Sequence, residues 1–129
     1  MSVSIDFSAR LYAALNVAGI TTLLDDYGTG HALFYANVAP SDYTGSAFIN
    51  YYQIGSLNCA DSAPIGRFSV NCRAATESEA TTIAHAVVTA VNRVSYGDYY
   101  ISCSIEQVIT PADDTDIFNA PIELTIKQR

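Results

Sequence analysis

The side chains able to do chemistry are few and scattered along the chain. They are two histidines, His31 and His85, three cysteines, Cys59, Cys72 and Cys103, and the acidic run Asp113-Asp114-Thr115-Asp116. A metal centre built from thiolates and imidazoles needs paired spacings such as C-x-x-C or H-x-x-x-H, and neither occurs. Asp113, Asp114 and Asp116 offer the hard oxygen donors a divalent cation prefers. Their run lacks the glycine and the distal glutamate of a calcium loop, so it reads as a solvated acidic turn. No nucleophile elbow and no phosphate-binding glycine loop is present. His85 falls roughly 140° around a predicted helix from Ala80, at the margin of its apolar wedge, where a boundary or surface histidine sits. His31 belongs to a glycine-flanked turn and reads the same way. Cys59 lies in a predicted loop with nothing nearby to lower its pKa. No catalytic residue, cofactor or metal ligand is assigned on this reading. A small α+β enzyme or ligand-binding domain using His85, Cys59 or the acidic turn is the weaker alternative.

Recognition of another protein is better supported. The chain holds nine tyrosines and no tryptophan, with only 15% charged residues. Tyrosine combines a large contact area with a wet polar tip and is enriched at interfaces, although strand-forming sequences also favour it. Two long loops, residues 40–47 and 110–119, carry aromatics or acids, and long loops in compact domains are often functional. The candidate partner interface is Asp42, Tyr43 and Thr44 in the first loop, and Asp113, Asp114, Asp116 and Phe118 at the second. Tyr51, Tyr52 and Tyr99 on the expected strands complete it.

The elements that must position these residues are organised around residues 67–94. Phe68, Val70 and Cys72 alternate with Ser69, Asn71 and Arg73, the period of a strand with one buried face. Thr76-Glu77-Ser78-Glu79 has the form of a capping box. Ala80, Ile83, Ala84, Val87, Val88, Val91 and Val94 then recur at helical spacing. Phe7, Leu11, Ala14, Leu15 and Ala18 form an earlier helical stripe, for which Gly19 is the expected stop. Residues 20–24 read as a short turn before the breaker run 25–30. Strands are expected over residues 33–38, 48–54, 99–109 and 118–127, with residues 55–66 as a loop. Neither face of residues 48–54 is cleanly polar, so both should be covered, one of them by another subunit. Pro121 points to an edge position or a bulge. Cys72 and Cys103 fall on inward registers and read as buried reduced thiols. The order predicts an α+β domain: a mostly antiparallel sheet of about four or five strands with two helices on one face.

At 129 residues the chain has the size of one domain, and 50% hydrophobic residues are enough for a core. No apolar run reaches the length of a membrane span, and the first residues lack a signal-type segment, so synthesis in the cytoplasm is expected. A net charge of −7 argues against wrapping nucleic acid, which needs clustered lysine and arginine. Such a surface would let DNA slide past without sticking.

In its order of segments the chain resembles the tail terminator (tail-completion) proteins of long-tailed bacteriophages over nearly its whole length. The likeness runs through the opening amphipathic helix, the strand and proline of Phe34-Tyr35-Ala36-Asn37-Val38-Ala39-Pro40, and the strand Phe48-Ile49-Asn50-Tyr51-Tyr52. It continues through Gly66-Arg67-Phe68-Ser69-Val70-Asn71-Cys72, the alanine-rich helix over residues 79–91, and the acidic turn before Ile122-Glu123-Leu124-Thr125-Ile126. Residues 55–64 depart from the pattern. The resemblance implies a non-enzymatic structural protein of the virion tail or neck, made in the host cytoplasm. It implies a ring, usually a hexamer, that caps the head-proximal end of the tail tube and ends tube polymerisation. The implied partners are further copies of itself, the major tail tube protein and the head–tail connector or stopper. DNA would pass through the lumen without specific binding, and no membrane is involved. A stopper-type neck protein is the neighbouring alternative.

Overall fold

A computed structural model describes residues 7–35, 40–57, 65–96, 99–105, 110–111 and 117–128. Among the described residues, three helices, α1 (Phe7–Leu15), α2 (Ala18–Thr21) and α3 (Glu77–Val91), accompany nine strands. The first two, β1 (Asp26–Tyr27) and β2 (Gly30–His31), form a separate antiparallel ribbon. The others are β3 (Leu33–Tyr35), β4 (Phe48–Leu57), β5 (Ile65–Ala74), β6 (Val94–Tyr96), β7 (Tyr99–Ile105), β8 (Thr110–Pro111) and β9 (Phe118–Gln128). They make one seven-stranded sheet in the order β3-β4-β5-β9-β7-β6, with β8 paired to β9 off this path. Every pairing is antiparallel except β3 with β4. The fold is α+β with a larger sheet than the four or five strands expected, and it carries a third helix.

Alternation sets the sheet's two faces. Phe68, Val70, Cys72 and Ala74 of β5, Ile122, Leu124 and Ile126 of β9, and Ile49 and Tyr51 of β4 are buried under the helices. α3 lies against β5, β9 and β7, with α1 and α2 beside it. Ala80, Ile83, Val87 and Val91 are its buried stripe, and the Thr76 hydroxyl accepts from the Glu79 amide at 3.2 Å, the cap the sequence announces. Glu77 and Glu79 in the first turn complement the positive end of the helix. Burying such stripes on a sheet contributes roughly 25 cal/mol per Å² of apolar surface removed from water, which makes this interface the main source of stability.

Several boundaries differ from expectation for identifiable reasons. α1 ends at Leu15 because Val17 is extended (φ −125°, ψ 153°), and Gly19 lies inside α2 instead of terminating a helix. α3 stops at Val91, where Asn92 is extended and Arg93 takes a left-handed conformation (φ 60°). Val94 therefore begins β6 and does not extend the helical stripe. Asn92 also secures this exit, its Oδ1 accepting the Cys103 amide at 3.0 Å. Residues 55–57 and 65–66, expected as loop, are strand, and the register shifts between Gln53 and Gly55. The expected breaker run holds the β1–β2 ribbon, turned by Gly28 in the left-handed region (φ 61°). β9 is central, flanked by β5 and β7, so Pro121 does not mark an edge strand. It sits one residue beyond Ile105↔Ile122, the last described pair with β7. Cys72 is buried and Cys103 half-buried, both as free thiols. Burial pushes Cys72 far up, with the neighbouring Cys103 adding to it, and pushes Cys103 up to about 12.

Candidate functional site

The sheet face away from the helices is dressed by a cluster that local sequence patterns do not announce. Phe34 of β3 and Phe48 of β4 point to this outer face and are buried with Ala32, and Tyr27, Tyr43 and Ile117 pack over them. The rings meet edge to face: Tyr27 on Phe34 with centroids 5.1 Å apart, Phe34 on Tyr43 at 5.3 Å, and Tyr43 on Phe48 at 5.2 Å. The β1–β2 ribbon supplies Tyr27, and the 40–47 loop supplies Tyr43.

Asp25 joins the two. Its Oδ2 accepts from the Tyr43 hydroxyl at 2.8 Å, the Ser46 amide at 2.9 Å and the Ala47 amide at 3.1 Å. Its backbone N–H donates to the Ala47 carbonyl at 2.8 Å and its own carbonyl accepts from Ala32, also at 2.8 Å. Burial alone would raise the Asp25 pKa. The bonds from Tyr43, Ala47 and Ser46 outweigh it and hold the carboxyl below the usual value. The Tyr43 phenol is driven upward, first by burial and then by its bond to Asp25. Gly45 makes the lock possible. A Cβ there would stand 2.6 Å from the Tyr43 hydroxyl oxygen and closer still to Asp25 Oδ2, so any side chain collides with the lock. On the rim, the Tyr27 hydroxyl donates to Asp42 Oδ1 at 2.8 Å, a bond that raises the phenol's pKa.

Asp25, Asp26, Tyr27, Asp42, Tyr43 and Thr44 line a surface concavity of about 430 Å³. Its walls are carboxylates and phenols held on a rigid base. With their pKa values raised, Tyr27 and Tyr43 stay protonated near neutral pH and act as hydrogen-bond groups, not as bases. His31 lies on the ribbon, Nδ1 3.7 Å from Asp26 Oδ1, with both side chains well exposed. Among the described residues, no group of three histidine, cysteine or acidic side chains is placed to hold a metal ion.

The rest of the outer face is polar. Near the cluster, Asn50 and Asn71 are buried: Arg73 Nε donates to Asn50 Oδ1 at 2.8 Å, and Asn119 Nδ2 donates to Asn71 Oδ1 at 3.2 Å. The Asn119 side-chain Oδ1 is buried and has no hydrogen-bond partner among the described residues. Toward the other end of the strands, Arg67 pairs with Glu123, and Lys127 is exposed.

The structure separates the sequence-derived interface residues. Asp42, Tyr43 and Thr44 fall together at the concavity. Tyr51 and Tyr99 are buried in the main core, at 1% and 5% exposure. Tyr52 is half-buried on the outer face, and Phe118 packs beside the main core. Asp113, Asp114 and Asp116 lie outside the described residues, as does Cys59. The covering expected of another subunit over one face of β4 is supplied in part by this chain's own loop cluster. His85 is exposed on α3. Asp25, Gly45 and the ribbon escaped the sequence reading, because partners 18 to 22 residues apart leave no periodic trace. The one available signal was the two-residue Gly28-Thr29 connection between short polar runs.

No family model matches the chain, and no curated protein matches it. Among solved structures, a chain from the virion of the native gene transfer agent particle shares the fold, with a TM-score of 0.60 at 14% identity. The match covers 92% of this chain and 90% of that one. No helix among the described residues is long and apolar enough to cross a membrane.

Proposed function

We propose that this chain is a structural protein of a phage-like virion, of tail-terminator type. It forms a ring, six-membered as in the family it resembles, at the head-proximal end of the tail tube. There it ends tube polymerisation and offers the docking surface for the head connector. The observation that carries this reading is the fold shared, nearly end to end, with a virion chain of the gene transfer agent particle. The order of segments and the absence of a converging catalytic set in the sequence agree with it. So does a sheet with one face closed by helices and the other carrying an aromatic cluster and an acidic concavity beside exposed polar strand. Such a surface suits specific contacts with other virion proteins, and the −7 charge suits a passage that DNA must cross without adhering.

Negative-stain imaging of tails bearing a labelled copy tests the proposal. Label is expected only at the head-proximal tube end, and label spread along the tube rejects it. Label found on the head-side connector of tail-less particles would move the assignment to the stopper. In a strain lacking the protein, tubes of irregular, excessive length are expected.

A further inference from the structure

We infer that the half of the outer sheet face around Arg67 and Lys127 is the seat for the Asp26–Asp42 rim of a second copy of this chain. The inference rests on the self-association in the ring reading and adds the surfaces that make it. The two halves of the outer face have opposite character. At the β3–β4 end the Phe34–Phe48 rings are roofed by Tyr27 and Tyr43, and Asp26 and Asp42 stand at the exposed rim of that roof. Toward the Ile65 end of β5 and the Gln128 end of β9 no described residue roofs the face. Arg67 and Lys127 are exposed there, on the registers Arg67↔Thr125 and Ile65↔Lys127, with Glu123 as the described carboxylate on that patch. Arg67 is paired to Glu123, so the described residues of this patch keep one net positive charge, that of Lys127, the one lysine in a chain of net charge −7. Charge complementarity between the two ends orients an encounter and fixes its register. Half-buried Tyr52 and Thr125 beside Arg67 and Lys127 supply contact area and hydroxyls to the tyrosine-bearing rim. Used reciprocally, the contact closes at a pair; used in one direction, it propagates from copy to copy and makes a ring where the rotation between copies closes.

Two charge-reversed chains test the surfaces. One carries Asp26→Lys and Asp42→Lys, the other Lys127→Glu and Thr125→Glu, with folding checked by circular dichroism and oligomeric mass read by native mass spectrometry. Each alone is expected to associate at least tenfold more weakly than the native chain, and an equimolar mixture to regain the native mass. Full association by both reversed chains overturns the inference and leaves the ring reading standing. A restored pair, with no larger species, supports the inference and sinks the ring. Should a variant misfold, the native chain suffices. Carbodiimide condenses an amine with a carboxylate, the water being taken up as the urea, and Lys127 is the single side-chain amine. In an equal mixture of ¹⁴N and ¹⁵N copies, hybrid cross-links from Lys127 to Asp26 or Asp42 are expected. An intact assembly with no such hybrid overturns the inference, and a chain that stays monomeric at all concentrations and on tube ends overturns both.

Discussion

The two faces of the sheet are built by different means. Under the helices, apolar side chains repeat at the periods of their own elements, and each element buries a stripe whether or not the others are specified in detail. On the outer face, one carboxylate, Asp25, gathers a tyrosine hydroxyl and two amides from a loop about twenty residues away, and a missing Cβ at Gly45 leaves room for it. The first region is redundant, so weakening it costs stability in proportion to the area lost. The second is a lock, so one atom in the wrong place opens it while the rest of the domain stays folded.

The largest effect is expected from Phe68→Ala. Phe68 is fully buried in the helix-side core, and losing its ring should cost about 3–5 kcal/mol, seen as a lower urea midpoint for the whole domain. If the outer cluster melted separately and the core did not, the contrast drawn above would be wrong. Next comes Gly45→Ala, whose new methyl group overpacks the lock at about 1–3 kcal/mol. Hydrogen exchange should quicken at the Ser46 and Ala47 amides, which bond Asp25, while α3 amides keep their protection.

Asp25→Ala leaves the Ser46 and Ala47 amides without their acceptor and Tyr43 with only the Ala47 carbonyl at 3.2 Å, a loss of about 1–2 kcal/mol, again confined to the outer face. Acid should imitate that variant. The Asp25 pKa is lower in the folded chain than its ordinary 3.8. Its contribution is therefore complete above that value and disappears as the pH falls through the folded pKa. Tyr43 fluorescence and Ser46 exchange followed from pH 6 downward should change before far-ultraviolet dichroism does. The smallest effect belongs to Thr76→Ala, which removes the cap of α3 for about 1 kcal/mol and should speed exchange in its first turn alone.

Much of the helix-side architecture was legible in the sequence. Period-two alternation in β5 and β9 and the capped stripe of α3 are local signals, and they placed Phe68, Val70, Ile83 and Leu124 inside. What failed was what local signals cannot carry. Arg93 enters the left-handed region without being glycine, so nothing announced that α3 would end before Val94. Gly19 looked like a terminator, yet Val17 had already broken the chain direction. Tyr51 and Tyr99 resembled contact residues by type, but side-chain type does not say which face of a strand is roofed. In the site, Asp42, Tyr43 and Thr44 were recognisable as a loop of interest. Their dependence on Asp25 was not, because a long-range hydrogen bond has no spacing rule.

Strand β9 occupies the middle of the sheet although it comes last of the strands in chain order. During synthesis, β4 and β5 can zip together early, while β7 must wait beside an open slot until residues 118–128 have cleared the ribosome. A nascent chain halted before that point would hold two half-sheets with bare inner rims, the kind of exposed edge that invites promiscuous pairing. The layout thus ties an unbroken sheet to synthesis of β9, and a fragment lacking that strand has no continuous floor beneath its helices.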